Sequence, residues 1–254
     1  MGKAEILFNA EREGALIDRF TREEPGFDLK AAYAIQEKLL RLHEGEGAKR
    51  IGFKLGLTSE AKMKQMNVHS PIFGELLDEM QLSIGKSYSV AMGIQTKIEP
   101  EICFYISQDI ERPLKIEEVP AYIRSVGIAF ELIDSRYKNF DFQLPDVVAD
   151  NCSAHRFILG QSFKDRSALD VSNLRFTIRV NGENGTTGNS SAILGNPLKT
   201  ICLLSEHLCS SKRYIPAGSL ILAGAATEAF KLEPGKSLEL CAPGFQSLKI
   251  NTTN

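Results

Sequence analysis

From about residue 86 onward the chain is a succession of short apolar runs, and this constrains its fold more than any other feature. KIEPEICFYI, SVGIAFELID, LRFTIRV, SLILAG and SLELCA are rich in Val, Ile, Leu and Phe, side chains that suit a pleated, half-buried surface. Asn181-Gly182 and Pro234-Gly235 separate some of these runs as hairpin turns do. The first third reads differently. In DLKAAYAIQEKLLRLHEGE (28–46), Leu29, Ala32, Ile35, Leu39 and Leu42 fall near one face of a helix that Asp28 can cap. GFKLGLTS (52–59) reads as a strand broken at Gly56, after which Thr58 or Ser59 caps a helix through EAKMKQM. Another helix is expected after Gly195: Asn196 caps it, Pro197 fits the first turn, and Leu198, Ile201, Leu204 and Leu208 recur at helical spacing. The pattern predicts an α+β fold, with a helical N-terminal subdomain over residues 1–85 and a β-rich core over 86–254.

A chain of 254 residues can bury a sizeable core. Its 30 basic and 32 acidic side chains leave a formal charge of −2, with no broad positive field to attract nucleic acid or an anionic membrane. The first twenty residues are charged throughout and lack the apolar run of a signal peptide, and no later stretch has the length of a membrane span, so the cytoplasm is the expected location. The five cysteines, 103, 152, 202, 209 and 241, form no CxxC pair and are odd in number, which suits a reducing compartment.

The residues that carry chemistry lie in two of the strand-like runs. Alternation along KIEPEICF puts Lys97, Glu99, Glu101 and Cys103 on one face, and Ile98, Pro100, Ile102 and Phe104 on the other. Two carboxylates about 7 Å apart at their backbones can converge on one ion. Pro100 has no N–H for a ladder, so this strand is expected at a sheet edge or bulged there. Glu131 sits among apolar neighbours in VGIAFELID, where an ionised carboxylate needs a partner or a metal. Three glutamates with no adjacent histidine or thiolate make a hard oxygen site, suited to magnesium or manganese over zinc. The residues alone equally allow a solvated face at Glu99 and Glu101, with Glu131 paired to Arg136 or Lys54.

Several segments read together are more specific: GFKLGLTSEAKMKQMNVHSPIFGELLD (52–78), KIEPEICF (97–104), FELIDSRYKNFDFQLPDVVADNCSAHRFILG (130–160) and IPAGSLILAGAAT (215–227). Their content, order and spacing resemble the hydratase and decarboxylase branch of the fumarylacetoacetate hydrolase superfamily. AKMKQM, SPIFG, IDSRYKNFDF and the RFILG after ADN are closer to its decarboxylases. The resemblance implies a core of mixed, curled sheets and a magnesium ion, or manganese, held by Glu99, Glu101 and Glu131. It also implies Lys54 and Asp78 in the active site, and Ser153, Arg136, Leu55 and Thr227 as substrate contacts. The implied substrate is a small unsaturated 2-oxo acid that chelates the metal. The implied reaction is decarboxylation of 2-oxohex-3-enedioate to 2-oxopent-4-enoate through a metal-stabilised dienolate, with hydration of 2-hydroxypenta-2,4-dienoate as the alternative. A homo-oligomer is implied as well, and for a decarboxylase a complex with a partner hydratase that takes its product. A reading of another class is a catalytically silent protein that sequesters a small acid.

Each site residue has a plainer role beside the implied one. Lys54 can be a cation at an oxyanion or a structural partner of a glutamate; Asp78 can move protons or cap a turn; Ser153 can bind substrate or cap the next segment; Arg136 can bind a carboxylate or anchor a loop. Cys152 and His155 are too close in sequence to face each other as nucleophile and base. His43, His69 and His207 have no metal-ligand spacing, and Tyr137, Phe140 and Phe142 read as core or pocket lining. Asn196 stands where similar proteins carry His, and Ala223 where they carry Thr, a lost hydroxyl that bears on the substrate if Ala223 faces the pocket.

Overall fold

The computed structural model describes residues 1–59, 63, 64, 68, 70–161 and 170–254. Helices α1 (Lys3–Glu13), α2 (Phe20–Glu23) and α3 (Leu29–Gly45) precede the first strands, β1 (Arg50–Gly56) and β2 (Ile72–Leu77). There follow β3 (Tyr88–Ser89), β4 (Lys97–Ile106), α4 (Val119–Tyr122), β5 (Ile123–Ile133), α5 (Leu144–Ala149) and β6 (Ala154–Leu159). The chain continues through β7 (Arg175–Val180), β8 (Glu183–Asn189), α6 (Leu198–Ser210), β9 (Leu220–Ala225), β10 (Phe230–Lys231), β11 (Ser237–Cys241) and β12 (Leu248–Thr253). Among the described residues no helix is long and apolar enough to cross a membrane.

Two sheets organise the α+β fold that the sequence pattern predicts. One has seven strands in the order β2-β1-β9-β4-β5-β6, with β10 pairing β4 beside that path; the other has five, in the order β3-β12-β11-β7-β8. The larger sheet is mixed, since β1 and β9 run parallel while β4 and β5 are antiparallel. It draws β1 and β2 from before residue 85 and its other strands from after it.

Period-two patterning decides which side of the large sheet becomes core. Ile98, Ile102 and Phe104 of β4 and Ile128 and Phe130 of β5 point toward Phe176, Ile178, Leu238, Leu240 and Ile250 of the second sheet, with Ile201, Leu204 and Leu208 of α6 joining them. The opposite face carries Cys103, Ala129, Phe157 and Leu222, covered in part by Leu40 of α3. Alternation puts Lys54, Glu99, Glu101 and Glu131 on this second face. A smaller cluster joins α1, α3 and α5 through Leu7, Ala32, Leu39 and Val148.

Local expectations hold where the signal is chemical. Asp28 caps α3 by accepting from the Ala31 N–H, and Asn196 accepts from the Leu198 N–H at the start of α6. Asn181 and Gly182 both adopt positive φ, 53° and 85°, and join β7 to β8 as a hairpin. Pro234-Gly235 also turns the chain, but β10 and β11 belong to different sheets, so that turn is a crossover and not a hairpin.

The α3 stripe differs from the apolar one expected: Leu29 is exposed, while Gln36 and His43 are buried. Gln36 donates to the carbonyls of Phe73 and Val148, so a polar side chain satisfies two inward-facing acceptors. Pro100 is not at an edge, because β4 lies inside the sheet. The ladder with β9 shifts register between Glu101 and Cys103, and the Pro100 carbonyl accepts from the Ala226 N–H. A bulge therefore accommodates the missing donor. The helix expected through EAKMKQM lies mostly outside the described residues, although Met63 N–H donates to the Ser59 carbonyl; His69 also lies outside them.

Candidate metal centre

Antiparallel pairing of β4 and β5 sets Glu99 opposite Glu131, with Glu101 two residues along the same face. One oxygen from each carboxylate lies within 4.8 Å of the others, and all three side chains are buried. Lys54 reaches across from β1: its Nζ is 2.8 Å from Glu131 Oε1 and donates to the Cys152 carbonyl at 3.0 Å. The Gly224 N–H, at the end of β9, donates to Glu101 Oε2 at 2.8 Å. Gly224 has φ +105°, and a Cβ there would lie 2.2 Å from the Thr58 hydroxyl oxygen, so glycine lets this backbone reach the carboxylate.

Glu101 Oε1 and Glu131 Oε2 are buried without a hydrogen-bond donor among the described residues. Three carboxylates against one ammonium leave a net charge of −2 in a dry site, which a divalent cation would cancel. Without that cation, burial pushes the Glu101 carboxyl well above the usual carboxylate range, reinforced by the charges of Glu131 and Glu99. Burial likewise raises Glu131, opposed by Lys54. For Lys54, burial disfavours the charged form, but Glu131 together with Cys152, Glu99 and Glu101 outweighs it and the pKa rises, so the ammonium stays charged. All-oxygen donors, orphaned lone pairs and a two-charge deficit fit a hard divalent ion such as magnesium.

A strained loop forms one wall. Asn151, Cys152 and Ser153 adopt φ of 45°, 54° and 57°, three consecutive non-glycine residues in the left-handed region. Three anchors hold them there. Arg136 donates from Nε to Asp150 Oδ1 and from Nη2 to the Asp150 carbonyl. The Asn151 side chain accepts from the Glu75 N–H and donates to its carbonyl. The third anchor is the Lys54 ammonium on the Cys152 carbonyl. Gly74 makes the approach feasible, because a Cβ there would lie 2.9 Å from the Asn151 carbonyl oxygen and 3.0 Å from Lys54 Cγ. The buried Ser153 hydroxyl has no hydrogen-bond partner among the described residues.

The structure brings Lys54, Glu99, Glu101, Glu131 and the Ser153 loop together, and places other expected site residues elsewhere. Asp78 is exposed beyond the far end of β2, where its carboxylate caps the N–H groups of Lys49 and Glu79. It is a turn cap and not part of the cluster. Arg136 is fully buried, and its guanidinium is spent on Asp150 and the Ala154 carbonyl. It anchors the loop, and a substrate carboxylate would have to displace those bonds. Leu55 points its side chain into the core between the sheets, so only its backbone can face a ligand. Thr227 is half-buried two residues after β9, and its hydroxyl donates to the Glu228 carbonyl. Ala223 is fully buried in the inter-sheet core, away from the carboxylates.

Burial pushes the Cys152 thiol up to about 12, against the pull of Lys54, and holds the His155 imidazole down at about 3. His155 bonds the Tyr88 hydroxyl at 2.9 Å, and among the described residues it does not pair with Cys152. His43 is buried and bridges Glu11 and Glu79. His207 stacks on Phe73 at 4.3 Å. Tyr137 is core, packed edge-on against Phe20. Residue pattern gave no hint of Asn151 or Gly224, because their roles depend on loop path and backbone direction.

A family model described as the fumarylacetoacetate (FAA) hydrolase C-terminal domain matches residues 79–252. The chain belongs to the fumarylacetoacetate hydrolase family. Within this family it is similar to the 4-oxalocrotonate decarboxylase of a Pseudomonas species, 37% identical over 244 residues that cover 95% of this chain and 94% of that protein. It is also similar to the 2-keto-4-pentenoate hydratase of Burkholderia vietnamiensis strain G4, 34% identical over 221 residues, 86% of this chain and 84% of that one. The solved 4-oxalocrotonate decarboxylase of Pseudomonas putida G7, complexed with magnesium and adipate, superposes with a TM-score of 0.96 at 35% identity, covering 98% of this chain and 95% of that one. These relatives place the chain in the hydratase and decarboxylase branch of the fumarylacetoacetate hydrolase family, with its curled mixed-sheet fold.

Proposed function

We propose that this chain is a magnesium-dependent carbon–carbon lyase that decarboxylates 2-oxohex-3-enedioate, known also as 4-oxalocrotonate, to 2-oxopent-4-enoate. The observation that carries the reading is the buried cluster of three glutamates with a two-charge deficit, in a chain similar to 4-oxalocrotonate decarboxylase over nearly its whole length. Glu99, Glu101 and Glu131 would hold the ion, which when bound supplies Lewis acidity toward the oxygen where negative charge develops.

The chemistry balances within the substrate. The C5–C6 bond breaks and carbon dioxide leaves; the bonding pair forms a C4–C5 double bond, the C3–C4 π pair shifts to C2–C3, and charge arrives on the C2 oxygen. A proton delivered to C3 then restores the ketone and gives 2-oxopent-4-enoate. Lys54, charged and fixed by Glu131 and the Cys152 carbonyl, keeps positive potential beside the oxygen that gains charge. The Ser153 hydroxyl, buried and without a partner among the described residues, offers a hydrogen bond to a substrate oxygen. Burial of the whole cluster excludes water, which strengthens both contributions.

Hydration of 2-hydroxypenta-2,4-dienoate is the second reading, favoured by the similarity to 2-keto-4-pentenoate hydratase. Rates on both substrates, measured side by side with magnesium, separate the two. The decarboxylase reading requires faster carbon dioxide release from the diacid, and hydration alone would replace it. The same reading carries a homo-oligomer in the cytoplasm and a complex with a partner hydratase, which light scattering and co-purification test.

A further inference from the structure

We infer that Lys97 and Lys231 form the subsite for the second carboxylate of a diacid substrate. The inference rests on the reading of a 2-oxo diacid above and adds the residues that would distinguish it from a monoacid. Lys97 opens β4 on the same face as Glu99 and Glu101, two residues or about 7 Å from Glu99 along the strand. Lys231 pairs directly with Lys97 across the β10–β4 ladder. The preceding register pair, Phe230 and Ile98, packs on the inter-sheet core. The two lysines therefore project together onto the metal face, at the rim of the cluster.

Like charges directly opposite in a ladder repel, and no carboxylate among the described residues forms an ion pair with either lysine. An anion seated between them removes that cost. Lys97 is also oriented: its Nζ lies 3.9 Å from the centroid of the Phe140 ring, a contact that holds an ammonium while leaving its N–H groups free. Phe140 and the preceding Asn139 have φ of 56° and 57°, so a strained turn presents that ring. The charge count points the same way. Three glutamates, Lys54 and a divalent ion sum to zero, so the cluster has no positive charge left for a distal carboxylate, and the rim supplies two.

The carboxylate held there is the one that departs, and its charge moves to the C2 oxygen as the bond breaks. The lysines thus favour the bound substrate over the transition state. Their removal raises KM and leaves kcat unchanged or slightly higher.

The test is calorimetric titration of the magnesium-loaded protein with adipate and with hexanoate, which share a chain length and differ by one carboxylate. Wild type is expected to prefer adipate. Lys97→Met should reduce that preference about tenfold or more, Lys97→Met with Lys231→Met should erase it, Lys97→Arg should keep it, and hexanoate binding should stay constant throughout. No adipate preference in wild type, or an equal loss for both ligands in the variants, overturns the subsite. A lysine-dependent preference in a protein that releases no carbon dioxide leaves the subsite standing and removes the decarboxylase. Normal release with a lysine-independent preference does the reverse.

Discussion

Glu101 carries the metal assignment at the scale of single residues, because it is fully buried, has an oxygen without a donor and fixes the bulged end of β9 through the Gly224 N–H. Glu101→Gln removes one negative charge from the donor set, and calorimetry should show magnesium affinity reduced about a hundredfold or more. Unchanged affinity would exclude Glu101 as a ligand. Arg136 and Ser153 make a contrasting pair on the same loop. Arg136→Ala leaves Asp150 buried without its counter-ion and should cost roughly 3–5 kcal/mol in chemical denaturation. Ser153→Ala should shift stability by less than about 1 kcal/mol while lowering kcat/KM. The alternating glutamates were legible in the sequence because strand periodicity assigns a face without knowledge of the partner. Loop anchoring by Arg136 was legible as one of its two roles, but its partner was not, since Asp150 is brought near only by the path of α5 and the turn after it.

Among the elements, β4 and β5 show how far pattern reasoning reaches. Their extent, faces and pairing follow from apolar alternation, whereas the interior position of β4 follows from β9 and β10 sharing one side of it, an arrangement Pro100 could not signal. The helices hold a second case. His43 of α3 lies 3.4 Å from Glu11 of α1 and 2.9 Å from Glu79 after β2. Burial by itself lowers the His43 pKa, but the two carboxylates outweigh it and raise it above 6.5. Burial likewise pushes Glu11 upward, yet His43 and Arg136 hold it down at about 2. A raised histidine pKa stabilises fully below 6.5 and loses its contribution as pH rises through the folded value. A depressed carboxyl stabilises above 4.5 and loses its contribution as pH falls toward 2. The bridge therefore contributes most between 4.5 and 6.5. Thermal melts should show wild type losing roughly 1 kcal/mol as pH rises past neutrality, a loss that His43→Gln should abolish.

For the whole molecule, one buried cluster joins strands from both ends of the chain: Lys54 from β1, Glu99 and Glu101 from β4, Glu131 from β5 and Gly224 from β9. Burying three carboxyl groups beside one ammonium is then a cost to the entire fold, met without metal by raised carboxyl pKa values, and a divalent ion that takes the place of those protons stabilises the folded state by mass action. At a hundredfold excess over its Kd, magnesium should add about 2.7 kcal/mol, seen as a higher Tm that EDTA reverses and Glu101→Gln lacks. The measurement that tests the central claim most directly is carbon dioxide release from 2-oxohex-3-enedioate by the metal-stripped protein as magnesium is titrated in. The account predicts no release without metal, a rise that saturates at one magnesium per chain, and its loss in Glu101→Gln. Release that is independent of magnesium, or that survives in Glu101→Gln, would contradict it.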